Sequence, residues 1–205
     1  MYQFFDKSKM IEQQNALADN PAHQYAQIQH DLFKIPLNEQ PNGSECIYFA
    51  MGCYWGAERL FWQTQGVTNT AVGFAGGFTA YPTYQQTCTG KTGHAETVKV
   101  TFDPKVVSVN ELLTIFWNNH DPSQGMRQGN DIGTVYRSAI YCNKQQLPMV
   151  LESKKRFAEQ LASIAHPEIT TEIQTDPIFY YAEPEHQQYL AKHPDGYCSL
   201  RGVFK

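Results

Sequence analysis

Hydrophobic rhythm divides this chain into short alternating elements. Residues 46–51 form an unbroken apolar run that halts at Gly52, as a buried strand does. The period then lengthens. Trp55, Arg59 and Trp62 fall about one turn apart, which predicts a helix over 54–65 ended by Gly66. Residues 67–74 alternate weakly up to Gly76-Gly77 and read as a second strand. In 96–102, Val98, Val100 and Phe102 share one face, and Asp103-Pro104 closes that strand. Ser108 and Glu111 make a capping box ahead of Leu112, Leu113, Ile115 and Phe116, so a helix begins there. Residues 135–141 read as a fourth strand. An amphipathic helix follows to about 165, although Pro148 conflicts with a start much before it. Residues 169–173 alternate as a strand, 183–192 look helical, and the tail carries no regular signal.

This order gives two βαβ halves and an extra helix, strand and helix. It predicts an α+β fold: a ferredoxin-like split βαβ core with a mixed, mostly antiparallel sheet, extra helices and an irregular C-terminal tail. A doubly wound sheet is the alternative, and its long parallel alternation is not evident. Residues 1–45 differ from the rest. They hold Gln, Asn, His and Pro21, Pro36 and Pro41, and read as an N-terminal arm with one short helix. Tyr25, Ile28, Leu32, Phe33 and Ile35 predict that the arm docks on the core. Residues 46–205 are expected to form a single domain that includes the tail. Its stretches 79–93 and 120–133 are long polar loops, and such loops in compact domains are often functional.

Composition narrows the function. The chain has 205 residues, 41% of them hydrophobic, so a sizeable core is affordable. Only 18% are charged and the net charge is −4, so no basic excess exists to neutralise the phosphates of a nucleic acid. No apolar run approaches a membrane span, and residues 1–14 lack the pattern of a secretory signal. The expected address is the cytoplasm. Five cysteines, at 46, 53, 88, 142 and 198, make an odd count without a C-x-x-C pair. That argues against a disulfide framework and against a zinc ribbon.

One cysteine stands out. Cys53 follows Gly52 where a buried strand turns into a helix. Unpaired amides and the positive end of the helix dipole there favour thiolate over thiol. The plainer reading is a small buried hydrophobe. Glu96 opens a strand of otherwise apolar spacing, so partial burial is expected to raise its pKa and keep a proton available. Taken alone, a solvated edge acid is the commoner outcome. Tyr84, Asp131 and Tyr136 come from the loops and supply hydroxyls and a carboxylate for a small polar group on an apolar stem. Cys198, flanked by Gly196 and Tyr197, reads as a mobile, accessible thiol. Cys46 and Cys142 read as core, and Cys88 is ambiguous.

These residues lie in recognisable surroundings. Gly52-Cys53-Tyr54-Trp55-Gly56-Ala57-Glu58 resembles the signature of the peptide-methionine (S)-S-oxide reductases, the A-type methionine sulfoxide reductases. Gly73-Phe74-Ala75-Gly76-Gly77, Gly90 to Glu96, Trp117 to Pro122, Gln128 to Thr134 and Tyr136-Arg137-Ser138 resemble the same family in order. So do Tyr180 to Glu183, His186 to Leu190 and Gly196-Tyr197-Cys198. Together they span roughly three quarters of the chain. The resemblance implies a thioredoxin-dependent enzyme that repairs oxidative damage. Its substrates would be the S epimer of methionine sulfoxide in oxidised proteins and peptides, and the free amino acid. It implies Cys53 as nucleophile, Glu96 as proton donor with help from Tyr84 and Tyr136, and Tyr54 and Trp55 holding the substrate methyl group. Asp131 would support the polar side of the pocket, and Cys198 would resolve the Cys53 sulfenic acid as a disulfide. It implies no metal and no organic cofactor, and a monomer is expected.

Two features depart from the family pattern. Tyr54 stands where relatives usually carry Phe, and its hydroxyl needs a partner if buried. No cysteine follows Cys198, so a relay through a third tail cysteine is not expected. Three rival readings stay open on the residues alone. A thiol acyltransferase or hydrolase would pair Cys53 with a histidine base from among His94, His120 and His186. A non-enzymatic module would bind methionine-containing peptides. A metal site of scattered Cys and His fits no familiar spacing.

Overall fold

The computed structural model describes residues 6–198 and 200–204. Along the chain run β1 (Glu45–Met51), α1 (Tyr54–Trp62), β2 (Val67–Ala75), α2 (Tyr84–Thr87), β3 (Ala95–Phe102), α3 (Val109–Asn119), β4 (Arg127–Gln128) and β5 (Asp131–Ile132). There follow β6 (Ser138–Cys142), α4 (Leu147–Ser163), β7 (Glu172–Thr175), β8 (Phe179–Tyr181) and α5 (Tyr189–Lys192). The main sheet has the order β7-β6-β1-β3-β2-β8. Its four central strands, β6-β1-β3-β2, are all antiparallel neighbours, which is the ferredoxin-like split βαβ arrangement. β7 joins β6 in parallel and makes the sheet mixed, as expected.

The register decides which side chains meet the helices. Phe49 faces Val98 and Ile140, and Val72 also faces Val98. These residues, with Ile47, Met51, Phe74, Val100 and Phe102, form one apolar face buried against Phe61, Leu112, Phe116 and Trp117. Phe49 stacks on Phe61 at 4.9 Å and on Phe116 at 5.3 Å. Truncating such a ring costs about 3–5 kcal/mol. Phe74 lies opposite Glu96, so Glu96 belongs to this same buried face, at its mouth. The capping box at α3 is formed in full: Glu111 N donates to Ser108 Oγ and Ser108 N donates to Glu111 Oε2. Pro148 sits in the first turn of α4, where its missing N–H is no loss, so the expected conflict dissolves.

Several elements differ from expectation for local reasons. The 79–93 loop contains α2, begun by a second capping box, Thr83 with Gln86. Val135 and Tyr136 belong to a 3-10 turn, Thr134–Tyr136, and β6 starts only at Ser138. There the buried Arg137 guanidinium donates to the carbonyls of Thr134 and Gly76 and to Glu172, closing the turn. The strand expected over 169–173 lies at Glu172–Thr175. β8 carried no alternation and was not expected. Only 189–192 of the expected 183–192 helix is helical. Gln187 instead exchanges two hydrogen bonds with the Val72 backbone, and Gln188, at φ 47°, donates its N–H to Glu58.

The arm carries two 3-10 turns and no α-helix among its described residues. The arm docks on the core as expected, with Phe33 packed against it, but its deepest anchors are other residues. His30 and Leu37 are fully buried, whereas Leu32 is 47% exposed. Asn69 Nδ2 donates to the carbonyls of Pro36, Leu37 and Glu39 and so holds the arm across β2. Leu17, Asp19 and Asn20 bond to residues 79–91 and support the loop that carries Tyr84. No helix among the described residues is long and apolar enough to cross a membrane.

Candidate active site

Cys53 is the N-cap of α1 and is buried. Gly52, at φ 94°, makes the turn from β1, and a β-carbon there would collide with the Gln128 side chain. The N–H groups of Trp55 and Gly56 point at the Cys53 sulfur and favour thiolate, as the sequence predicts. Burial outweighs them. It pushes the Cys53 thiol well above its ordinary value, and the negative charges of Glu96 and Asp131 push it further. Burial thus agrees with the plainer reading of Cys53 as a buried thiol, and the helix-start amides oppose it as expected. The dipole is visible in sequence, but the depth of the sulfur is not.

Glu96 is 2% exposed, and its Oε2 accepts the Tyr54 N–H at 2.9 Å. One helix start thus holds the thiol and the carboxyl together. Burial raises the Glu96 pKa to about 8, against the opposing pull of the Tyr54 amide, so Glu96 carries a proton at neutral pH.

The loops bring their residues to the same place. Tyr84 opens α2, and its N–H donates to Glu183 Oε1 at 2.8 Å. Tyr136 closes the 3-10 turn. Both phenols are half-buried, and both are raised first by burial and next by the charge of Glu96. Asp131 lies on the β4–β5 hairpin and acts electrostatically on Cys53, Glu96 and Tyr136. A cavity of about 120 Å³ borders Tyr136 and Cys88, with Lys7 of the arm in its wall.

Aromatic rings back the site. Tyr54 is 1% exposed, and its hydroxyl has no hydrogen-bond partner among the described residues. Trp55 is half-buried and stacks on Tyr189 at 4.0 Å. His186 packs on Tyr84 at 4.3 Å and on both Tyr54 and Trp55 at 5.8 Å. Cys198 is exposed, and its sulfur rests against Gly56 of α1. Next to it, Tyr197 Oη donates to both carboxylate oxygens of Asp131 at 3.3 Å. Sequence reasoning assigned no role to Tyr197 or Glu183, and named His186 only as a possible base in the rival thiol reading. Their only signal was their place inside the quoted motifs.

Two rival constellations lack support here. Gly77 N donates to His94 Nδ1, and His94 Nε2 faces the Thr79 carbonyl. His120 is held between the Phe116 carbonyl and Ser138. His186 packs on the rings of Tyr54, Trp55 and Tyr84, and no hydrogen bond among the described residues joins a histidine to Cys53. Among the described residues no group of three or more His, Cys, Asp or Glu is arranged to hold a metal.

Comparison with known proteins gives the constellation its context. The family model described as peptide methionine sulfoxide reductase matches residues 45–204. The peptide methionine sulfoxide reductase MsrA of Brucella anthropi is 60% identical over 176 residues, 85% of this chain and 81% of that protein. The structure of methionine sulfoxide reductase A of Corynebacterium diphtheriae superposes with a TM-score of 0.85 at 46% identity, covering 93% of both chains. Mxr1 of Saccharomyces cerevisiae in reduced form superposes at 0.71 with 30% identity, covering 78% of this chain and 91% of that one. Mxr1 in complex with Trx2 shares the fold at 0.53 and 21% identity, covering 85% and 93%. With a matching model over the whole core and relatives this similar along most of their length, the chain belongs to the peptide methionine sulfoxide reductase family.

Proposed function

We propose that this protein reduces the S epimer of methionine sulfoxide, in proteins, peptides and the free amino acid, and is recycled by thioredoxin. The observation that carries the reading is the pairing at the start of α1 of a buried thiol, Cys53, with a protonated carboxyl, Glu96. A sulfoxide oxygen is a strong acceptor and a poor leaving group, so it needs a proton while sulfur is attacked. Cys53 Sγ attacks the sulfoxide sulfur and gives up its proton. Glu96 protonates the oxygen, with Tyr84 and Tyr136 as further donors. The hydroxyl passes to Cys53 as the thioether leaves, and Glu96 recovers the proton released by the thiol. The products are methionine and a Cys53 sulfenic acid, and the site ends with as many protons as it began.

Trp55 and Tyr54 take the apolar side of the substrate, with the methyl group towards the rings, and Asp131 supports the polar side. Rings on one side and hydroxyls on the other accept one configuration at a chiral sulfur. The Cys198 thiol then condenses with the sulfenic acid, giving a Cys53–Cys198 disulfide and water. A thioredoxin dithiol reduces that disulfide by exchange. The complex of the related Mxr1 with Trx2 supports this choice of partner. Residues 46–205 make the catalytic domain of a monomer and 1–45 its arm, a division supported by a family match that begins at 45. The odd, unpaired cysteine set suits the reducing cytoplasm.

The test is one turnover without added reductant. Fully reduced protein meets a peptide carrying the S epimer or, in parallel, the R epimer. Methionine release and a Cys53–Cys198 link with the S epimer alone are expected. Folded protein that binds both peptides and releases no methionine would overturn the reading in favour of a peptide-binding module.

A further inference from the structure

Gly56 lies inside α1, one turn beyond Cys53, and its backbone is ordinary right-handed helix. Nothing in that conformation asks for glycine, and alanine is the better helix former. What the position lacks room for is a side chain. A β-carbon at 56 would lie 2.6 Å from Cys198 Sγ and 3.2 and 3.3 Å from Leu200 Cδ1 and Cγ. All three nearest atoms belong to the C-terminal tail, and the sulfur lies within the space that a methyl group there would need.

The tail is fastened on both sides of that contact. Before it, Tyr197 Oη is bonded to Asp131. After it, Leu200 packs on the core beside Gly52 and Gly56, Gly202 lies against the Asn118 carbonyl, and the Phe204 ring meets Phe157 edge-on at 5.8 Å. Cys198 is thus accessible to solvent yet seated, and residues three apart on a helix are neighbours, so its seat adjoins Cys53.

We propose that Gly56 is a positioning residue for disulfide formation: its missing side chain is the seat that holds Cys198 ready for oxidised Cys53. The inference rests on the roles of Cys53 and Cys198 proposed above. In the step concerned, the Cys198 sulfur bonds to the Cys53 sulfur and the Cys53 S–O bond breaks. Hydroxide leaves with the Cys198 thiol proton as water. Two thiols become one disulfide, the oxidant being the oxygen delivered by the sulfoxide. Alanine at 56 keeps the backbone N–H that faces Cys53 but displaces the Cys198 sulfur by roughly 1 Å, a shift that can cost about a hundredfold in an intramolecular step.

The experiment uses the full chain, reduced, with one equivalent of peptide bearing the S sulfoxide and no reductant. Rapid quenching follows methionine release, a 1,3-diketone traps sulfenic acid, and peptide mapping follows the disulfide. In Gly56→Ala, methionine release is expected to slow far less than disulfide formation. The disulfide is expected to form at least about tenfold more slowly, with more trapped Cys53 sulfenic acid. Leu200→Ala, which loosens the tail from the same seat, is expected to show the same split and serves if Gly56→Ala does not fold. Native disulfide rates in the folded variants would overturn the seat alone, and so would loss of methionine release together with the disulfide. Methionine release by the native protein with no Cys53–Cys198 link would overturn the resolving role of Cys198 instead.

Discussion

Two buried glutamates touch α1, and they do opposite things. Glu58, within the helix, is fully buried and accepts three hydrogen bonds, from Thr70 Oγ1 at 2.9 Å, Gln188 N at 2.9 Å and Gln188 Nε2 at 2.7 Å. Thr70 in turn meets His30 of the arm at 2.9 Å, so one carboxyl ties the arm, β2, α1 and the C-terminal segment together. Glu96, at the start of the same helix, is as buried but has one hydrogen bond among the described residues, from Tyr54 N. Burial raises both, Glu58 to about 7 and Glu96 to about 8. Depth alone does not mark a reactive acid. The count of donors does: Glu58 is consumed by the fold, whereas Glu96 keeps its proton and a free direction beside Cys53.

Substitutions can break or sharpen that contrast. The largest effect is expected from Glu96→Gln, which removes the proton donor and leaves an acceptor for Tyr54 N–H. First-turnover methionine formation is expected to fall by about 10²–10⁴-fold, with melting temperature nearly unchanged. Glu58→Ala is expected to do the reverse. It strands the donors of Thr70 and Gln188 and costs about 2–4 kcal/mol, read by denaturant titration, while folded molecules turn over normally.

The pH dependence of stability sharpens the pair. A carboxyl raised in the folded state contributes stability that is fully present below the ordinary 4.5 and is lost as pH rises through its folded value. Between about pH 4.5 and 7, Glu58→Gln is therefore expected to flatten the fall in melting temperature, and calorimetry across that window checks it. The smallest effect concerns Tyr54. Deleting its unpartnered buried hydroxyl in Tyr54→Phe is expected to raise stability by about 1 kcal/mol, with at most a modest change in KM.

Much of this was legible in the residues because it is local. A capping box announced α3, alternation announced Val98, Val100 and Phe102, and a glycine before Cys53 announced a strand-to-helix turn. The split βαβ order followed from those elements. What stayed hidden depends on distant partners. The run 183–192 has helical composition, but Gln187 and Gln188 are claimed by Val72 and Glu58 from elsewhere in the chain. Val135 and Tyr136 alternate like a strand, yet Arg137 folds them into a turn. The rise of the Cys53 thiol needed the packing around it, and Tyr197 joined the site only when the tail met the β4–β5 hairpin. Members of the site with a motif were found, and their supports were not.

The central claim is that Glu96 holds the proton for the chemistry at Cys53. It is tested most directly by first-turnover methionine formation from a peptide bearing the S sulfoxide, followed against pH in the native protein and in Glu96→Gln. The site reacts with both protons in place, so the native rate is expected to fall as pH rises through about 8, and the slow Glu96→Gln reaction is expected to lack that fall. The same descending limb in Glu96→Gln, or native-like rates in that variant, would contradict the account.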